Sequence, residues 1–87
     1  MDSARIRILI AEDEEAHIEA IRRAMDSAGR DIEIQTARTL REYREKSAAR
    51  APDIALVDLN LPDGRALEVL TFPPETGPFP ILVMTSY

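Results

Sequence analysis

Two stretches of this sequence end in carboxylates where an apolar strand would end. Ile6 to Ala11 reads Ile-Arg-Ile-Leu-Ile-Ala and runs into Glu12-Asp13-Glu14-Glu15. Ile54 to Leu61 reads Ile-Ala-Leu-Val-Asp-Leu-Asn-Leu, with Asp58 its one acid, and then turns at Pro62-Asp63-Gly64. Short branched-aliphatic runs mark strands buried on both faces of a parallel sheet, and ligands collect at the carboxyl edge of such a sheet. If the two strands are neighbours, Glu12, Asp13 and Asp58 share one crevice, where three carboxylates repel one another. A hard divalent ion relieves that repulsion, and Mg²⁺ is commonly held by one or two carboxylates, waters and a phosphate oxygen. A carboxylate beside such an ion can attack phosphorus and form an acyl phosphate, which makes Asp58 the candidate nucleophile. Thr85, closing the apolar run Ile81-Leu82-Val83-Met84-Thr85, could offer its hydroxyl to the phosphoryl oxygens.

The elements that must position these groups follow from periodicity. From Glu15 to Ala28 the apolar residues Ala16, Ile18, Ile21, Ala24, Met25 and Ala28 recur at helical steps, and Gly29 follows as a C-terminal cap. Ile32 to Ala37 alternates as a half-buried strand near the sheet edge does. Thr39 and Glu42 have the spacing of a capping box, starting a helix that carries Leu40, Tyr43 and Ala48 inward and runs to about Arg50. Ala66, Leu67, Val69 and Leu70 suggest a short third helix, and Ile81 to Thr85 a fourth buried strand. The alternation predicts an α/β sheet, parallel and with right-handed crossovers.

Composition narrows the function classes. The chain has 87 residues, one domain's worth, and no cysteine, so disulfides, thiolate catalysis and cysteine-bound metals are out of reach. A net charge of -5 argues against nucleic acid and anionic membrane as partners. No apolar run approaches the roughly 20 residues of a membrane span, and Met1 to Arg7 lacks a signal peptide's apolar core, so a cytoplasmic location is expected.

The joint pattern of Ile-Leu-Ile-Ala-Glu-Asp-Glu (8–14), Leu-Val-Asp-Leu-Asn-Leu-Pro-Asp-Gly (56–64) and Val-Met-Thr-Ser (83–86) resembles the receiver domain of two-component response regulators. The resemblance implies the flavodoxin-like, CheY-like α/β fold with strand order 2-1-3-4, here a receiver domain over residues 1–87 that lacks the family's last helix, strand and helix. It implies that Asp58 accepts a phosphoryl group from the phosphohistidine of a sensor histidine kinase. Glu12 and Asp13 match the acidic pair that holds Mg²⁺, Asp13 directly and Glu12 through water. Asn60 matches the position whose backbone carbonyl completes the metal shell, and Thr85 the hydroxyl that reorients toward the phosphoryl group. The lysine and aromatic switch residue of the family's fifth strand have no counterpart, and Ala66 stands where a glycine is common. An uncovered fourth strand would be an open edge and a template for association, so a homodimer or larger assembly through it is expected.

Two other functions use the same residues. An aspartyl-nucleophile phosphohydrolase of the haloacid dehalogenase kind would need an acid two places after Asp58, where Asn60 stands. A truncated dimerising scaffold would need no chemistry at all. The remaining polar residues carry plainer readings: Glu14 and Glu15 as acids favoured at a helix N-terminus, His17 as a surface helix residue, Arg22, Arg23 and the charges from Arg41 to Lys46 as solvated helix faces, and Tyr43 as core.

Overall fold

The apolar runs fold as the strands they predict. In the computed structural model, which describes residues 5–29, 31–65 and 80–84, the order is β1 (Ile6–Ala11), α1 (Glu15–Asp26), β2 (Ile32–Ala37), α2 (Leu40–Ala49), β3 (Ile54–Asp58), β4 (Asn60–Leu61), β5 (Gly64–Arg65) and β6 (Ile81–Met84). β2, β1, β3 and β6 form one parallel sheet in that order, which is the expected 2-1-3-4 arrangement with β6 as the fourth strand of the sheet. β4 and β5 form a small antiparallel hairpin across Pro62 and Asp63, so the turn expected there carries strand pairing on both sides. The third helix expected after Gly64 and the site position Thr85 lie outside the described residues. Among the described residues no helix is long and apolar enough to cross a membrane.

Alternation along β1 and β3 sends side chains to two faces. On one face Leu9, Ala11, Ala55 and Val57 pack with Ala37, Leu40, Tyr43 and Leu61, all buried. Each fully buried side chain of Leu or Val size contributes about 1.5–3 kcal/mol here. Tyr43 belongs to this core, as expected, and burial raises the pKa of its phenol. On the other face Ile8 and Ile10 are buried, and α1, which packs along β2, buries Ile18 and half-buries Ile21 and Met25. Ala16, Ala24 and Ala28, expected on that oily face, are exposed: Ala16 and Ala24 stand out of phase with the stripe of Ile18, Ile21 and Met25, and Ala28 lies past the end of α1.

The helix ends follow local rules with one shift. α1 stops at Asp26, and the Ser27 hydroxyl donates to the carbonyls of Arg23 and Ala24 before Gly29 reverses the chain at φ 72°. At the start of α2 the Thr39 hydroxyl accepts the Glu42 N–H at 3.0 Å. Glu42 reaches back at 2.7 Å to the amide of Arg38, one residue ahead of the usual capping-box partner. Ser47, not Ala48, takes the third inward position of α2. Leu40, Tyr43 and Ser47 are spaced by three and four, whereas Ala48 falls on the exposed side. The expected solvated face of α2 carries the ion pairs Arg41–Glu45 and Lys46–Glu42.

The β6 strand contradicts the burial expected from its apolar run and matches the open edge that the resemblance implies. It is not buried: Leu82 is 54% and Val83 38% exposed. Among the described residues β6 is an edge strand, with only β3 beside it.

Candidate functional site

Strand register does the first part of the assembly. Ala11 lies opposite Val57 in the β1–β3 ladder, so Glu12 and Asp58 emerge side by side one step later. By alternation both fall on the face of Ile8, Ile10, Ile54 and Leu56. Neither hangs from a free loop. The Glu12 amide still donates to the Ala37 carbonyl at 2.9 Å, and the residue after Asp58 donates to the Met84 carbonyl at 2.8 Å. Glu12 is 2% and Asp58 6% exposed, while Asp13 at the next step is open to solvent. One carboxylate oxygen from each of Glu12, Asp13 and Asp58 lies within 4.8 Å of the others.

That donor set suits a hard cation. All three groups are carboxylates, the donors a hard cation takes, and a spread of up to 4.8 Å leaves room for waters to complete the shell, as Mg²⁺ usually keeps several. Soft metals would ask for sulfur or nitrogen ligands. The sequence-predicted acids are thus brought together as one group. Asn60 joins them at the backbone: its N–H donates to Asp58 Oδ1 at 3.4 Å, and its side chain faces solvent.

The Glu12 carboxylate, the most deeply placed of the three, is held from two sides. Its Oε2 accepts the Glu14 N–H at 3.0 Å, which satisfies an amide at the start of α1, and its Oε1 stands 3.3 Å from His17 Nδ1. His17 Nε2 in turn stands 3.1 Å from Glu14 Oε1. His17 is therefore not the plain surface residue its isolation in the sequence implied. It is half-buried one turn into α1 and bridges the two acids. The signal was present in the spacing from Glu14 to His17, which places them on one helix face.

Two contacts that no local pattern announces fasten the surrounding loops. Arg38, between β2 and α2, pairs with Glu15 and reaches the Asp13 carbonyl at 3.5 Å, so it clasps the turn that carries Asp13. Asp63, at the tip of the β4–β5 hairpin, accepts the Leu40 N–H at 2.7 Å and the Arg41 N–H at 3.0 Å, capping α2 from 23 and 22 residues away. The Leu40 bond does most to hold the Asp63 carboxyl below its ordinary value. The Arg41 amide and the Arg44 charge add to this, and desolvation opposes it.

The chain matches the family model described as "Response regulator receiver domain" over residues 8–87. It is 32% identical over 79 residues to the KDP operon transcriptional regulatory protein KdpE of Escherichia coli, covering 91% of this chain and 34% of that protein. It is 33% identical over 81 residues to the photosynthetic apparatus regulatory protein RegA of Cereibacter sphaeroides, covering 92% of this chain and 43% of that one. The chain thus spans between a third and a half of the length of these curated relatives. Among solved structures it is similar to the phosphorylated cyanobacterial phytochrome response regulator RcpA, with TM-score 0.81 and 30% identity over 97% of this chain and 67% of that one. It is also similar to the MaeR response regulator bound to beryllium trifluoride, with TM-score 0.82 and 25% identity over 94% of this chain and 68% of that one.

Proposed function

The chain belongs to the receiver domain family of response regulators, and from that premise we propose that it takes a phosphoryl group onto Asp58 from a sensor histidine kinase. In that transfer a carboxylate oxygen of Asp58 attacks phosphorus, the P–N bond of the donor's phosphohistidine breaks, and the imidazole nitrogen leaves with the bonding pair. The product is an acyl phosphate on Asp58, so the chain is the substrate of a kinase and not a turnover enzyme. Asp13, Asp58 and the Asn60 carbonyl would hold Mg²⁺, with Glu12 acting through water. The ion supplies charge neutralisation between the incoming phosphoryl oxygens and the acids. Thr85 would sense the phosphoryl group through its hydroxyl.

The observation that carries this is the convergence of Glu12, Asp13 and Asp58 at one sheet edge, with carboxylate oxygens within 4.8 Å of one another. The near-burial of Asp58 adds support, since a low-dielectric setting strengthens interactions between the acceptor and a bound cation. The similarity to a phosphorylated regulator and to one bound to beryllium trifluoride supports a phosphoryl-binding edge. A cytoplasmic setting follows from partnership with a histidine kinase, and self-association through β6 is a further part of the proposal. The test is a titration with beryllium fluoride and Mg²⁺ followed by amide resonances. With Mg²⁺ already saturating, added beryllium fluoride is expected to give saturable shifts at Glu12, Asp13, Asp58 and Asn60 in the wild type and none in Asp58→Asn. Equal shifts in both proteins would overturn the assignment of Asp58.

A further inference from the structure

Asp63 has no part in the chemistry just described, yet it joins the acceptor loop to a helix on the opposite side of the sheet edge. The loop from Asp58 to Arg65 is anchored at three points. At its start the Asn60 N–H bonds Asp58 Oδ1. At its middle Leu61 is 8% exposed and packs in the core with Leu40 and Tyr43 of α2. At its tip the Asp63 carboxylate takes the first amides of α2, at 2.7 and 3.0 Å. The β4–β5 pairing of Asn60 with Arg65 and of Leu61 with Gly64 makes the segment between them a short ribbon. A pull at its tip is therefore felt at Asn60, three residues back.

We propose that Asp63 is a positioning residue: by clasping the N-terminus of α2 it fixes the ribbon that presents Asn60 to the metal, and so couples cation binding at the acidic edge to the order of α2. The coupling rests on Asp58 and Asn60 belonging to the cation site. Its physical basis is reciprocity. If the clasp favours the ribbon geometry that binds the cation, the cation must favour the clasp by the same factor. Charge-assisted bonds to a carboxylate are among the stronger ones available for such a clasp, and two amides at a helix start have few other partners.

The test reads both directions in the full chain. Amide exchange of Leu40 and Arg41 in the wild type is expected to slow at least about fivefold on saturating with Mg²⁺, the lower end of ordinary couplings between sites. In Asp63→Ala the Mg²⁺ concentration giving half-maximal phosphorylation by acetyl phosphate is expected to rise by a similar factor, with the rate at saturating Mg²⁺ unchanged. Asp63→Asn, which keeps an acceptor oxygen but not the charge, is expected to fall between the two. A merely structural cap would lower stability and leave the Mg²⁺ half-saturation where it was. Exchange at Leu40 and Arg41 that ignores Mg²⁺ in a wild type that does become phosphorylated overturns the coupling alone. That measurement needs no variant, so it decides the matter even if Asp63→Ala fails to fold. A wild type that neither binds Mg²⁺ nor takes a phosphoryl group overturns both the coupling and the acceptor role of Asp58.

Discussion

At the scale of single residues, the acidic edge sets repulsion against function. Glu12, Asp13 and Asp58 bring three negative charges together, and carboxylates about 5 Å apart cost on the order of 1 kcal/mol or more in a partly buried setting. Removing one of them should therefore stabilise the protein when no cation is present. Asp13→Asn is expected to gain about 1 kcal/mol in urea denaturation with a chelator. With Mg²⁺ well above its dissociation constant, the wild type gains binding free energy that the variant loses, and the order of stabilities reverses. A variant less stable than the wild type under both conditions would mean that Asp13 serves only the fold. The acids themselves were legible in the sequence because each ends an apolar run. Of the role of His17 only the pairing with Glu14 was legible, in their spacing, because its contact with Glu12 depends on how α1 leaves β1.

At the scale of elements, strands and helices were read well where a residue pattern decides them. The limits of β1 and β2 follow from their aliphatic runs, and the start of α2 from Thr39 and Glu42. What failed was picking the inward residue by apolar character: Ala48 is the apolar one, but the helix phase set by Leu40 and Tyr43 turns Ser47 inward, where its hydroxyl bonds the Arg44 carbonyl. The Asp63 cap could not be read because its partners lie 23 and 22 residues away and share no local motif. That cap makes a pH prediction with a definite sign. The folded state holds the Asp63 carboxyl below its ordinary value of 3.8. Its contribution is therefore complete above that pH and fades as pH falls through the lowered value. The wild type is expected to exceed Asp63→Asn in melting temperature near neutrality, with the gap closing as the pH falls below that ordinary value and through the lowered one. A gap that stays constant through acid would assign the difference to something other than the charge.

At the scale of the whole molecule, the described sheet has one well-filled face and one open end. The α2 side packs Leu9, Val57, Leu40 and Tyr43 with almost no exposure. β6 leaves Leu82 and Val83 in solvent at the edge of the sheet. The apolar run of β6 taken alone predicts a buried strand, since such a run cannot say which of its sides has a neighbour, whereas the resemblance to a receiver implies the open edge found among the described residues. Exposed edges with apolar side chains favour pairing with another chain. Sedimentation is expected to show self-association of the wild type at micromolar concentrations, weakened in Leu82→Lys. A monomer at all concentrations would remove β6 from the set of interfaces.

The central claim is that Asp58 accepts a phosphoryl group in a cation site built with Glu12 and Asp13, and intact mass after incubation with acetyl phosphate tests it most directly. The expected result is a gain of one phosphoryl group in the wild type that requires Mg²⁺ and disappears in Asp58→Asn. An unchanged wild-type mass with Mg²⁺ present, or the same gain in Asp58→Asn, would contradict it.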